Sequence, residues 1–278
     1  MIRVVTDSAC DLPDGLVTEL GIGIVPLRIR FGAEELVDRV ELAPKEFWAR
    51  CAAAKELPET SAPSPGMFAA EYRRMAESGA QGVVCVTISS KLSATGEAAR
   101  QAARELADEI PVRVVDSSSV TLGEGLVVQA AAEAAAAGGD LDAVAAAAEG
   151  LVGSLRVFGA IDTLENLKKG GRIGGAQALM GSMLAIKPVI EVRGGQVEQE
   201  SKQRTRGRSL QYLADKVKAA GPLARVAVMS ADADDLDTFL GMLGDLPSAT
   251  PLLQGEIGSV IGTHIGKGAI GVAFVPAG

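Results

Sequence analysis

The sequence predicts an α/β protein in two parts: an N-terminal parallel-sheet α/β domain over residues 1–152 and a C-terminal α+β domain over residues 153–278, with a ligand cleft between them. Three observations carry this. Units of strand, hydroxyl-rich loop and helix repeat through the first half, the pattern of a parallel sheet with helices on both faces. Near residue 153 the texture changes to a basic glycine segment and a hairpin signal. No low-complexity linker separates the halves, so they pack closely and leave a cleft.

In chain order, residues 3–6 form a strand, followed by the polar loop Asp7-Ser8-Ala9-Cys10-Asp11 and a short helix from Pro13. Residues 24–31 alternate around Pro26, which places them at a sheet edge or strand start. Gly32-Ala33 turns the chain, and Pro44 opens a helix through Phe47, Trp48 and Cys51. Residues 59–65, Glu-Thr-Ser-Ala-Pro-Ser-Pro, form a rigid hydroxyl-bearing loop before a helix over 66–78. Residues 83–88 are almost wholly apolar and β-branched, as suits a strand covered on both faces. After them Ser89-Ser90-Lys91-Leu92 leads to Ser93 and good helix formers. A third unit has strand 112–115, loop Asp116-Ser117-Ser118-Ser119 and an alanine-rich helix from Thr121. Hydroxyl loops after successive parallel strands gather along one edge, where unpaired helix N–H groups favour an anion. Ser93 also reads as a plain N-cap, worth about 1 kcal/mol.

Gly138-Gly139-Asp140 ends the alanine-rich stretch, and another helix runs to about Leu151. Residues 157–161 read as a strand, Lys168-Lys169-Gly170-Gly171-Arg172 as a basic glycine loop, and 188–193 with Gln196–Gln203 as a hairpin around Gly194-Gly195. Helix Arg206–Ala219, strand 226–230, helix 233–243 and strand 269–275 complete the chain.

Composition narrows the function. The 278 residues carry a formal net charge of −8, which argues against nucleic acid or an anionic membrane as partner. The first residues run straight into a strand, without a signal-peptide pattern, and the apolar stretch 176–186 is too short to span a bilayer. Three scattered cysteines without CxxC spacing point to a reducing, cytoplasmic setting. With one histidine the chain has no zinc-ligand pattern, and no metal is expected.

Most enzyme motifs fail on context. Gly266-Lys267-Gly268-Ala269-Ile270-Gly271 matches GxGxxG but leads into a strand instead of opening a helix. Asp232, Asp234, Asp235 and Asp237 lack the glycine and terminal glutamate of a calcium loop. The enzymatic alternative is a serine hydrolase pairing Ser93 with His264, although no GxSxG elbow occurs. His264 lies in Gly262-Thr263-His264-Ile265-Gly266-Lys267-Gly268, read as a loop whose backbone approaches a ligand closely. A histidine-linked phosphotransfer protein is a third class.

Several stretches, taken together in order, resemble the DegV family of bacterial fatty-acid-binding proteins. They are Thr6-Asp7-Ser8 with Asp11-Leu12-Pro13, Thr60-Ser61-Ala62-Pro63-Ser64, Ser89-Ser90-Lys91-Leu92-Ser93, Val115-Asp116-Ser117 running to Leu122-Gly123, Gly170-Gly171-Arg172-Ile173, and Val260-Ile261-Gly262-Thr263-His264. The sequence departs at Ile265 and Lys267, where the family more often has threonine and proline. The resemblance implies one long-chain fatty acid held between two domains, its carboxylate gripped by hydroxyls matching Thr60 and Ser93, with Ser61 joining and Arg204 and His264 near the head group. It also implies a non-catalytic carrier without cofactor, which presents the acid to a separate kinase for acyl-phosphate formation and phospholipid synthesis. Lys168, Lys169 and Arg172 form a positive patch expected to meet that kinase. Expected tail contacts are residues 179–186 and Phe158.

Overall fold

A computed structural model describes residues 1–179 and 186–278. The first half contains β1 (Ile2–Asp7), α1 (Asp14–Glu19), β2 (Gly23–Val25), β3 (Arg28–Phe31), β4 (Glu34–Val37), α2 (Pro44–Ala53), β5 (Glu59–Ser61), α3 (Pro65–Glu77), β6 (Gly82–Thr87), α4 (Thr95–Glu105), β7 (Val112–Asp116), α5 (Thr121–Ala136) and α6 (Leu141–Val152). The second contains β8 (Arg156–Ala160), α7 (Glu165–Lys169), β9 (Lys187–Arg193), β10 (Gln196–Gln203), α8 (Arg206–Ala219), β11 (Leu223–Ser230), α9 (Leu236–Leu243), β12 (Leu253–Glu256), α10 (Ser259–Ile265) and β13 (Ile270–Pro276).

Strands β2-β1-β6-β7 form the expected all-parallel sheet, and β10-β9-β8-β13-β11-β12 a mixed one. Helices α3 and α4 cover one face of the parallel sheet, α5 and α6 the other, and α8 with α9 the outer face of the mixed sheet. Helix α5 packs against β1 and β6 on one side and against β11 and β13 on the other, giving five layers. Its sequence suits that place. Leucine, valine, alanine and glycine run round the helix, and nearly every residue from Thr121 to Ala132 is buried. Gly125 is needed for close approach, since a Cβ there would lie 2.8 Å from the Cys10 carbonyl oxygen. One apolar cluster therefore spans both sheets, from Val84 and Val86 through Leu126 and Val127 to Ala227 and Met229.

Four expectations are corrected. Residues 24–31 are two strands, not one: β2 joins the parallel sheet, and beyond Pro26 and Leu27 β3 enters a separate antiparallel sheet, β4-β3-β5. The supposed loop at residues 59–65 begins as strand β5, with Thr60 opposite Ile29. His264 lies not in a loop but in the last turn of α10, and Lys168 and Lys169 end the short helix α7. The hairpin at Gly194-Gly195 is as expected, both glycines having positive φ (55° and 80°).

The motif Thr6-Asp7-Ser8 has a structural explanation. The Asp7 carboxylate accepts the Ala9 N–H at 3.0 Å and the Ile88 N–H at 2.9 Å, tying the end of β1 to the loop after β6. Ser8 Oγ accepts the Leu27 N–H at 3.0 Å, and Thr6 Oγ1 donates to Glu124 Oε1 on α5 at 3.1 Å. Burial pushes the Asp7 carboxyl up to about 6 and that of Glu124, beside Asp7, well above the carboxylate range. Asp11, also buried, is pushed up to about 8.

These raised carboxyls hold protons in the folded state that the unfolded chain releases, so stability falls as pH rises through their folded values. Between pH 6 and 8 wild-type stability to urea is expected to decline. Asp11→Asn, which replaces the carboxyl that holds its proton up to about pH 8, should remove about 1 kcal/mol per pH unit of that slope. Urea midpoints measured across the window check this; a wild-type midpoint that rises with pH refutes it.

Candidate functional site

Four segments converge at the edge where the parallel strands end. The loop after β6 brings Leu92 and Ser93, β5 brings Thr60 and Ser61, α10 brings His264, and the turn after α7 brings Arg172. Helix α10 lies directly on the aromatic pair of α2: a Cβ at Gly262 would stand 2.9 Å from both Phe47 and Trp48. That contact sets the height of His264. Its imidazole in turn lies over Gly170, where a Cβ would come within 2.3 Å of Nδ1.

His264 Nε2 and Thr60 Oγ1 are hydrogen-bonded at 3.0 Å. Nδ1 is buried with no hydrogen-bond partner among the described residues. Burial, with the Arg172 charge nearby, lowers the His264 pKa to about 4, so the ring is neutral at physiological pH. Arg172 spans the two halves, its Nε donating to the Leu92 carbonyl at 3.1 Å and its Nη1 to the Gly170 carbonyl at 2.8 Å. Ser93 does not cap α4, whose N-cap is Ala94; its Oγ is shared with Thr95 Oγ1 at 2.8 Å and accepts the Thr95 N–H at 3.3 Å.

Behind these groups is an apolar cavity of about 180 Å³, with Leu27, Ile88, Leu92, Val120, Ile190 and Ile261 in its wall and Thr60, Ser61, Ser93, Arg172 and His264 at its polar end. An inner cavity of about 50 Å³ shares Val120, Ile190, Val192, Ile261 and Ile265 with it and reaches Gly159, Gly271 and Met229. The structure thus brings together Thr60, Ser61, Ser93 and His264. Arg204 is exposed at the turn between β10 and α8, outside the walls of these cavities. Arg172, read from sequence as a docking residue, borders the apolar cavity as well as two more polar pockets of about 320 and 500 Å³. Lys168 and Lys169 are exposed beside it. Of the expected tail contacts, residues 180–185 lie outside the described residues. Phe158 is among the residues bordering the inner cavity, while its ring packs 5.9 Å from Phe274 in the cluster beneath α8.

Sequence reasoning missed Leu27, Val120 and Ile261 in the wall. Leu27 lies between β2 and β3, Val120 just before α5 and Ile261 in α10, and only the β-branched composition around 260–261 carried a signal.

The hydrolase arrangement is not assembled. Ser93 bonds to Thr95 and His264 to Thr60, and no carboxylate meets Nδ1 among the described residues, so Ser93 and His264 are not paired and the ring has no orienting acid there. What the site can do is hold a polar head by hydroxyls, a neutral imidazole and a guanidinium, and enclose an apolar chain behind it.

Fold and site define a class of α/β proteins in which a parallel and a mixed sheet enclose an apolar cavity closed by hydroxyl side chains. This chain belongs to the DegV family: residues 1–277 match the family described as "Uncharacterised protein, DegV family". A DegV domain-containing protein of Streptomyces coelicolor is 38% identical over 275 residues, covering 98% of this chain and 97% of its own. A DegV family protein from Thermus thermophilus, described by its fatty acid binding, superposes with a TM-score of 0.90 at 35% identity, covering 99% of both chains. A protein from Eubacterium ventriosum described as stearic-acid-binding superposes with a TM-score of 0.85 at 28% identity, covering 99% of this chain and 98% of its own.

Because His264 is the only histidine, its titration is directly readable. Its ring protons in ¹H NMR are expected to shift with a midpoint near pH 4, against 6.5 for a solvated imidazole. A midpoint at 6.5 would show an open site.

Proposed function

We propose that this protein binds one long-chain fatty acid between residues 1–152 and 153–278, in the cytoplasm, and presents the carboxylate to a separate kinase for acyl-phosphate formation. In this reading the chain is a carrier and not itself a catalyst, needs no cofactor, and serves phospholipid synthesis. The observation that carries it is the apolar cavity ending in Thr60, Ser61, Ser93, His264 and Arg172. The descriptions of the Thermus and Eubacterium relatives support the ligand class. No described helix is long and apolar enough to cross a membrane, and no cluster of the described residues could hold a metal ion.

The energetics suit an acyl ligand. Burying about fourteen methylenes at about 0.8 kcal/mol each yields roughly 11 kcal/mol gross, before the cost of association. A hydroxyl bond to a carboxylate adds about 1 kcal/mol net, so the head group sets orientation and the tail sets affinity. A neutral His264 offers a hydrogen bond without a charge, leaving Arg172 as the cation bordering the cavity. Arg172 also borders the two more polar pockets, next to exposed Lys168 and Lys169. On an acidic chain this is the natural place for a nucleotide-bearing partner to meet the carboxylate.

Thr60→Ala combined with Ser93→Ala is expected to weaken fatty-acid binding by about 2 kcal/mol, roughly thirty-fold, read as lipid retained per protein by native mass spectrometry. Full retention with an unaltered head-group pose would refute the assigned grip. Lys168→Glu combined with Lys169→Glu, both exposed and outside the cavity wall, should slow acyl-phosphate formation by the cognate kinase at least about ten-fold while the lipid stays bound; unchanged turnover would remove the docking role.

A further inference from the structure

The inner cavity is bounded by one row of register partners on the mixed sheet. Ile190 of β9 stands beside Gly159 of β8, Gly159 beside Gly271 of β13, and Gly271 beside Met229 of β11. Strand alternation turns this row toward α5: Val157, Ala273, Ala227 and Met229 join the cluster between the sheets, whereas Phe158, Val272 and Val228 join the one beneath α8. The two glycines leave backbone bare across about 10 Å, two strand spacings, and the cavity lies over that gap.

Side chains lean into the gap from both ends. A Cβ at position 271 would meet Met229 Cγ, Sδ and Cε at 3.1, 3.2 and 3.4 Å, so the thioether lies across Gly271. A Cβ at position 159 would meet Ile190 Cγ1 and Cδ1 at 3.5 and 3.9 Å, which is ordinary contact. Beyond Met229 the next partner in the row, Gly255 of β12, is covered by Leu122 of α5. The cavity is therefore blind at Met229. Methionine is unbranched, and among the described residues no hydrogen bond holds the Met229 thioether, so its conformation follows what presses on it.

We infer that Met229 and the gap over Gly159 and Gly271 set the length of acyl chain this protein accepts. The inference rests on the fatty-acid reading above and adds the ruler: the tail crosses the two glycines, and its methyl end abuts the thioether. Shortening Met229 deepens the blind end. A methyl at position 159 takes space from the gap, and the ordinary contacts there leave the fold intact.

The test is competitive loading of the delipidated chain with an equimolar ladder of saturated straight-chain acids from dodecanoate to icosanoate, read by native mass spectrometry. Met229→Ala is expected to move the preferred acid longer by about two carbons, since close-packed interiors refill the volume removed. Gly159→Ala is expected to move it shorter by about one to two carbons for the same reason. Should Met229→Ala not fold, Gly159→Ala decides alone. Variants that load with the wild-type profile overturn the ruler while leaving fatty-acid binding standing. A wild type that takes up no member of the ladder overturns the fatty-acid reading and the ruler with it.

Discussion

A buried carboxylate receiving two backbone N–H groups underlies the rest of the structure. Asp7 holds Ala9 on its own turn and Ile88 at the start of the neighbouring loop, with no ion-pair partner among the described residues. Backbone donors supply part of the stabilisation that water would have given, and burial claims the rest as a raised pKa. Because Ile88 is fixed, the Ser89–Ser93 turn has a defined departure. Ser89 N–H then donates to the Ser119 carbonyl at 2.9 Å, and Ser89 Oγ to the Gly195 carbonyl at 2.6 Å, so one serine joins two loops of the parallel sheet to the hairpin of the mixed one. Ser118 and Thr121, at φ 48° each without being glycine, show how tightly the third loop is drawn into the same edge.

The site inherits its character from this junction. Its walls come from both halves of the chain, and three of the hydrogen bonds between the halves, Ser89 to Gly195, Arg172 to Leu92 and Thr60 to His264, lie near the polar end of the cavity. Burial that makes the interior suitable for an aliphatic chain also strips His264 of its proton. The polar end is thus a set of neutral hydrogen-bonding groups with the Arg172 guanidinium at its border.

The long, regular elements were legible because their signals are local. Residues 83–88 read as a doubly covered strand, Gly194-Gly195 as a hairpin, and Arg206–Ala219 as a helix with the bounds the structure has. The short elements were not. Strands β3 and β5 have four and three residues, too few for alternation to accumulate, and β5 exists only because Ile29 pairs with Thr60 across a separation of thirty-odd residues. Helix α10 carries Val260, Ile261, Thr263 and Ile265, β-branched residues with weak helix propensity, between glycines. Packing on Phe47 and Trp48 overrides that preference.

By itself the sequence determined the parallel sheet of the first half, the mixed α/β class and, through the ordered motifs, the DegV family. Periodicity and turn chemistry act within a few residues, so one chain suffices to read them. Only the tertiary structure decided that Thr60 touches His264, that Arg172 borders the cavity while Arg204 lies apart, and that Met229 ends the inner cavity. Those facts depend on which segments pack together, and packing between distant segments leaves no period in the sequence to betray it.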